Sequence, residues 1–251
     1  MGMPTGYAVG TVGTPTTGAA MAVGIPAGTD ANDICILLHE MDPVLNAAAL
    51  GAVTGYSDVV GSPSSQTGGL PTRLTVRWHR ATGPESGTVS CPAVANHQSA
   101  RIIGVRGCVT SGSPWNQTAA SQESVSDTSV SIDGLTTTAI DCLILAAFTT
   151  GQDVASTTHV GTWANASLAN VAEQVDNWVS SGTGGGIGAA TGEKAAAGVV
   201  DPTTAVLVTA NFKAQFCMAL QGAVPGSSGG KGHGSRLSPP KLQQQAQATN
   251  W

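Results

Sequence analysis

The sequence predicts an all-β protein, an antiparallel β-sandwich or jelly roll that carries an extended C-terminal arm. Three observations favour this fold class. About eleven short apolar or alternating segments are separated by turns rich in Gly, Pro, Asn and Asp, which is the pattern of antiparallel sandwiches. Strand and helix patterns do not alternate along the chain, so a Rossmann-like fold is not expected. The last thirty residues switch to Gly, Ser, Pro and Gln without any acidic residue.

Two apolar runs predict the central strands of this sandwich. The run DICILLHEM, at residues 33–41, shows no polar alternation, which is typical of a strand buried on both faces. The run AIDCLIL, at residues 139–145, echoes it and is interpreted in the same way. The closing stretch at residues 203–222, TTAVLVTANFKAQFCMALQG, predicts one bulged strand or a pair of strands.

The clearest hairpin signal lies in the first half of the chain. The segment TRLTVRWHR, at residues 72–80, places Leu74, Val76 and Trp78 on one face and polar residues on the other. The turn sequence ATGPESG follows, and TVSCPAV, at residues 88–94, is expected to return as the second strand of the hairpin.

Three further segments complete the prediction. The segment NASLANVAEQVDNWVSS, at residues 165–181, fits a helix or a strand, and its β neighbours favour a strand. The stretch SSGTGGGIGAATGEK, at residues 180–194, lacks the Gly-Lys-Ser/Thr ending of a phosphate loop, because Glu193 follows Gly192. It is therefore interpreted as a connection within the sandwich. Residues 42–53 favour a short helix that begins at Asp42.

Composition and charge restrict the partners. Charged residues make up 10% of the chain, against about 25% in ordinary soluble proteins, and such a weakly charged surface suits a subunit packed against neighbours. The net charge is −5, and without the basic residues of the arm the body carries seven positive and fifteen negative groups. This argues against nucleic acid as a partner. No apolar run approaches the roughly 18 residues that cross a bilayer, so no membrane partner is expected.

We divide the chain into a β-sandwich domain at residues 1–222 and an arm at residues 223–251. The composition of the arm predicts disorder in isolation, so we expect another subunit to hold it. The predicted partner-binding residues are the cations and the apolar side chains of the arm, together with a tryptophan in the predicted loop SGSPWNQTAASQE at residues 111–123. They are Lys231, Arg236, Lys241, Leu242, Trp251 and Trp115.

Catalytic and metal-binding patterns are weak. His39, Glu40 and Asp42 form the nearest candidate for a metal or acid–base cluster, but a zincin helix would need His where Pro43 stands. They are interpreted as a solvated strand end and a helix cap. The nucleophile-elbow pattern is missing, and the five cysteines include no CxxC pair. Four of them, Cys35, Cys108, Cys142 and Cys217, lie in apolar runs and are interpreted as buried free thiols. The chain is therefore predicted to be no enzyme, with no catalytic residues, cofactor or metal.

Four stretches resemble a group of tailed-phage and prophage virion structural proteins: TRLTVRWHRATGPESGTV, GCVTSGSPWNQTA, TWANASLANVAEQ and GTGGGIGAATGEKAAAG. The resemblance covers residues 20–222 and implies a β-sandwich in an assembled particle. The expected function is a virion protein that decorates the capsid or forms part of the tail, collar or fibre. It would be assembled in the host bacterial cytoplasm, with capsid, portal or tail subunits and further copies of itself as partners. The alternative is a carbohydrate- or receptor-binding module that recognises a host surface glycan.

Overall fold

The computed structural model describes residues 2–13, 18–43, 50–154, 156–180 and 184–223. Within these ranges the protein is all-β, with sixteen strands and no helix, and the fold class predicted from the sequence is confirmed. The strands are, in chain order, β1 (Thr5–Val9), β2 (Met21–Gly24), β3 (Ile34–Met41), β4 (Ser57–Asp58), β5 (Ser64–Gln66), β6 (Thr72–Arg80), β7 (Thr88–Cys91), β8 (Gln98–Arg106), β9 (Trp115–Ile132), β10 (Thr136–Thr137), β11 (Cys142–Thr150), β12 (Val160–Ala164), β13 (Ala169–Val179), β14 (Gly185–Lys194), β15 (Gly198–Val199) and β16 (Thr203–Gln221).

Two six-stranded antiparallel sheets form the sandwich. The first sheet has the order β1-β8-β3-β6-β4, and β5 also pairs with β6. The second sheet has the order β12-β16-β11-β14-β13, and β9 also pairs with β16. Their facing sides share one apolar core, to which β3, β6 and β8 contribute from the first sheet and β11, β14 and β16 from the second.

Both sheets are also covered on their outer faces. The two-stranded β2–β7 sheet covers the first sheet, where Met21, Val23 and Cys91 pack on Leu37 and Ile102. A separate apolar cluster, built around β11 and the ends of β9 and β16, lies on the outer face of the second sheet. All eight residues of β3 and all nine of β11 are consequently buried. The prediction that the two apolar runs are central strands is confirmed.

The glycine-rich stretch is a strand and not a connection, so that prediction was wrong for residues 185–194. β14 lies between β11 and β13. Its glycines leave room for aromatic rings on the neighbouring strands: a Cβ at Gly186 would lie 1.8 Å from the ring of Trp178, and one at Gly188 would lie 2.5 Å from that of Phe148. In both cases the ring belongs to the residue directly opposite on the next strand. The strand prediction for residues 165–181 is confirmed by β13.

The predicted hairpin was also wrong. β6 pairs with β3, β4 and β5, whereas β7 pairs with β2 on another layer. Alternation predicts which side chains share a face, but it does not say which strand lies alongside, and the chain leaves the first sheet after β6. Half of the short helix expected at residues 42–53 falls at 44–49, outside the described residues.

The segment at residues 111–123, predicted as a loop, enters a strand at Trp115. β9 is 18 residues long and pairs along β16. It carries few apolar residues because most of it faces solvent, so its strand character leaves little hydrophobic signal in the sequence. β16 itself is a single strand of 19 residues with register shifts, which confirms one of the two predicted forms.

Candidate functional site

The first polar site is a buried ion pair at one end of the space between the sheets. The Nε2 atom of His97 lies 2.9 Å from Oε1 of Glu40, and both side chains are 0% exposed. The hydroxyl of Thr72 lies 3.3 Å from the same Glu40 oxygen and 2.9 Å from the hydroxyl of Thr149. Because Thr149 belongs to the second sheet and Glu40 to the first, this network connects the two layers. We call Glu40 and His97 the enclosed pair.

The pKa values of both members of the enclosed pair are raised. Burial raises the pKa of Glu40, and this outweighs the opposing attraction of His97. Burial lowers the pKa of His97, but the charge and hydrogen bond of Glu40 outweigh it, so the net shift is upward. Burial instead lowers the pKa of nearby His39 to about 4, and its Nε2 lies 2.8 Å from Oε1 of Gln98.

The enclosed pair is closed to any ligand by the backbone of β14. A Cβ at Gly185 would lie 2.5 Å from both Oε2 of Glu40 and Nε2 of His97. His39 points to the opposite face of β3 from Glu40, since adjacent residues of a strand alternate, whereas Asp42 lies near enough for its charge to raise the pKa of Glu40. They are also buried, so the interpretation as a solvated strand end was wrong. Across the ranges that the structure describes, no group of three or more metal-ligating side chains occurs.

The second polar site lies where the ladder between β9 and β16 loses its regular register. Val206 pairs with Ser129, Asn211 with Asp127, and Lys213 with Glu123. The extra residues fall first on β16 and then on β9, so the two strands bulge in succession. We call residues 123–128 and 207–213 the crease.

Lys213 holds the crease together. Its side chain is 0% exposed, and its Nζ donates to Oδ1 of Asp127 at 2.7 Å and to the main-chain oxygen of Asp127 at 3.0 Å. The same Nζ lies 3.2 Å from Oε2 of Glu123. The two carboxylate side chains reach solvent, with exposed fractions of 22% for Glu123 and 44% for Asp127. Burial raises the pKa of Glu123, against the attraction of Lys213. Two carboxylates thus share one ammonium, which leaves a surplus negative charge at the surface.

The third feature is the open side of β9, residues 115–132, which we call the β9 edge. β16 pairs along one side of this strand, and no strand pairs along the other side among the described residues. Sixteen of its eighteen residues are exposed or half-buried. It contains no Lys, Arg or Pro, although Lys and Pro are the residues that commonly protect edge strands. Val125 in the crease is 60% exposed.

Trp115 begins β9 and is half-buried, so its prediction as a loop residue was wrong. Its ring packs edge-on against Trp78, with ring centroids 5.4 Å apart and an interplanar angle of 88°. Both rings lie against the core between the sheets. The other predicted partner-binding residues, Lys231, Arg236, Lys241, Leu242 and Trp251, lie outside the described residues. The predicted buried free thiols, Cys35, Cys108, Cys142 and Cys217, are confirmed, and Cys91 is buried and free as well.

The sequence predictions missed the enclosed pair and the lysine of the crease. His97 lies 57 positions from Glu40, and nothing in the sequence connects them. Lys213 gave a usable signal, because it stands alone in the mostly apolar run NFKAQFCMAL. A lone lysine in such a run requires a carboxylate partner when it is buried.

No family model matches the chain, and no curated protein or solved structure is significantly similar to it. Among the described residues there is no helix with the length and hydropathy needed to span a membrane.

Proposed function

We propose that this chain is a non-enzymatic structural protein of a tailed-phage virion that joins neighbouring subunits through the β9 edge. In this role it decorates the capsid or forms part of the tail, collar or fibre. The observation that carries the proposal is the β9 edge itself, a strand of 18 residues that is paired on one side and largely exposed.

An open edge suits assembly for a physical reason. Each unpaired edge presents main-chain N–H and C=O groups that form hydrogen bonds with an added strand. Monomeric proteins usually protect such edges with Lys, Pro, β-bulges or very short strands. β9 is not short and has no Lys or Pro, and its register shifts lie in the crease and at residue 116, so residues 117–122 carry none of these features. The resemblance of four stretches to phage virion proteins supports the proposal that this assembly takes place in a virion.

The enclosed pair supports a mechanical role for the interior. Glu40 and His97 are fully buried, and their network reaches Thr149 on the opposite sheet. Buried, hydrogen-bonded charges fix the relative position of the elements that carry them, because separating them exposes an uncompensated charge. We therefore assign them to the rigidity of the sandwich.

The proposal is tested by purifying phage particles and quantifying this chain in them by mass spectrometry against a labelled standard. We expect a fixed number of copies per particle. Copies on the order of hundreds indicate the capsid, and a single small ring indicates the tail or collar. Particles without the chain would refute the proposal.

The alternative, glycan binding, requires an aromatic ring that is open for stacking on a sugar. The packing of Trp115 on Trp78 does not favour it. A glycan array with the full chain tests this alternative, and specific binding that is lost in a folded Trp115→Ala variant would support it over assembly.

A further inference from the structure

We propose that the β9 edge is the docking site for residues 241–251 of a neighbouring copy of this chain, which add to it as an antiparallel strand. The inference rests on the proposed assembly role and specifies which two surfaces meet. It follows from charge, from the length and composition of the segment, and from the point at which the chain leaves the sandwich.

Charge separates this occupant from a second copy of β9. Residues 107–222 contain nine acidic and two basic side chains, whereas residues 224–251 contain three basic ones and no acid. Glu123 and Asp127 are the only acidic or basic side chains on β9, and both contact the ammonium of Lys213. Pairing β9 with its own copy brings acid towards acid, whereas a segment that carries Lys241 supplies the missing cation.

The composition of residues 224–251 selects the part that docks. The sequence KLQQQAQATNW, residues 241–251, contains neither Gly nor Pro, so every residue has the backbone donor and the restricted freedom that suit a strand. Eleven residues span about 36 Å in a strand. This is close to the length of residues 115–123, the part of β9 that runs as far as the start of the crease, which is roughly 30 Å. The preceding stretch, residues 225–240, is rich in Gly, Ser and Pro and has the character of a linker.

The exit point of the chain favours a neighbour over self-docking. The N–H of Ala223 donates to the oxygen of Gly107 at 2.8 Å, and that of Gln221 donates to Pro114 at 2.9 Å. The chain therefore leaves the sandwich beside the Trp115 end of β9. A segment that ran directly from there along its own β9 would be parallel, whereas every ladder between strands in this structure is antiparallel.

A neighbour's segment can approach from the crease and pair antiparallel, which is the slightly more stable arrangement. In that direction Lys241 lies towards Glu123 and Asp127, and Trp251 lies towards Trp115. The antiparallel direction that favours the main-chain hydrogen bonds thus also brings Lys241 towards the two carboxylates.

The test is disulfide trapping between two variants of the full chain, each of which carries one added cysteine. One carries Val125→Cys in the crease, and the other carries Gln243→Cys, which leaves Lys241 in place. The five native cysteines are buried, so the new thiols are the reactive ones. Equal amounts are mixed under mild oxidation and analysed by nonreducing electrophoresis and peptide mass spectrometry. The matched control replaces the first variant with Val199→Cys on β15, because Val199 is 64% exposed.

We expect the Val125→Cys mixture to give about tenfold more mixed dimer than the Val199→Cys mixture, because docking raises the effective concentration of the two thiols. Adding Lys241→Glu to the Gln243→Cys chain should lower that yield. Equal yields for Val125 and Val199 would overturn the inference. A predominant Val125→Cys homodimer would instead identify β9 of a second copy as the occupant.

A chain that carries both Val125→Cys and Gln243→Cys distinguishes self-docking. If the disulfide forms only within one chain, the inference of docking between copies is overturned. The trapping uses purified protein, so its outcome is independent of the particle assay. A mixed dimer together with particles that lack the chain would refute the virion role and leave this interface standing.

Discussion

The enclosed pair and the crease solve the same electrostatic problem with opposite results. In the enclosed pair, His97 just before β8 contacts Glu40 on β3. In the crease, Lys213 on β16 contacts Glu123 and Asp127 on β9. In the enclosed pair both partners are 0% exposed, whereas in the crease only Lys213 is fully buried and its carboxylates reach solvent. When every partner is buried, a charge can only stabilise the fold. When a partner is partly exposed, its charge remains available to another molecule.

The largest effect should come from breaking the enclosed pair. Glu40→Ala leaves His97 buried without its carboxylate, and removing one partner of a buried pair costs about 3–5 kcal/mol. Urea unfolding measures the loss of free energy. Glu40→Gln, which keeps the shape and an acceptor, is the control and should cost less. A loss below about 1 kcal/mol for Glu40→Ala would show that the interior does not depend on this pair.

Trp115→Ala should come second. The substitution removes a half-buried ring and its edge-on contact with Trp78, so we expect a loss of about 2 kcal/mol, below the 3–5 kcal/mol typical of fully buried tryptophan. Thermal or urea unfolding checks the value. Unchanged stability would mean that the ring does not support the core and would restore Trp115 as a candidate for surface contact.

The third prediction measures the crease directly against the enclosed pair. Lys213→Met removes the ammonium, but Glu123 and Asp127 can then be hydrated because they reach the surface. We therefore expect about 1–2 kcal/mol, less than for Glu40→Ala. The control Lys194→Met, at the half-buried end of β14, should change stability by less than about 0.5 kcal/mol.

Hydrogen exchange sharpens the prediction for Lys213→Met. Protection should fall at residues 123–128 and 207–213 and remain unchanged in β3, because only the crease loses its cation. A cost equal to that of Glu40→Ala, with protection lost throughout the sandwich, would contradict the distinction between the two sites.

The smallest effect is a dependence of stability on pH. The folded pKa of His97 lies above its ordinary value of 6.5, so its contribution is complete below pH 6.5 and is lost as pH rises through the folded pKa. The raised pKa of Glu40 acts in the same direction, because its contribution is complete below its ordinary pKa of 4.5 and is lost as pH rises through the folded pKa. Stability should therefore decline above pH 6.5.

His39 provides the internal contrast for this titration. Its pKa is lowered to about 4, so its contribution is present above pH 6.5 and is lost as pH falls from there towards 4. Urea unfolding at several pH values should show that His97→Gln flattens the decline above pH 6.5. An alkaline decline of the same steepness in His97→Gln would exclude His97 as its cause.

The same division between buried and exposed regions explains what the sequence predicts. β3 and β11 are apolar on both faces, and their runs identify them. β14 is buried over its first eight residues, but six of these are glycine or alanine, and Gly186 and Gly188 leave room for Trp178 and Phe148. Its composition therefore resembles that of a turn. β9 is a strand through its pairing with β16, and this partner leaves no mark on the Ser- and Thr-rich sequence of β9.

The candidate site was less predictable than the fold. Glu40 and His97 meet because β3 and β8 are neighbours in the first sheet, a pairing that no local pattern encodes. The crease arises from compensating bulges on β9 and β16, and bulge positions depend on the ladder as a whole. Only the lone lysine among apolar residues hinted that a charged partner lay opposite.

The most direct test of the assembly account is amide hydrogen exchange at residues 115–132, measured by mass spectrometry in the purified chain and in intact particles. The account predicts that the amides of β9 that face away from β16 exchange fast in the dilute purified chain and slowly in the particle, with β3 and β11 slow in both. Equally fast exchange of this strand in particles that contain the chain would contradict the claim that neighbours join at the β9 edge.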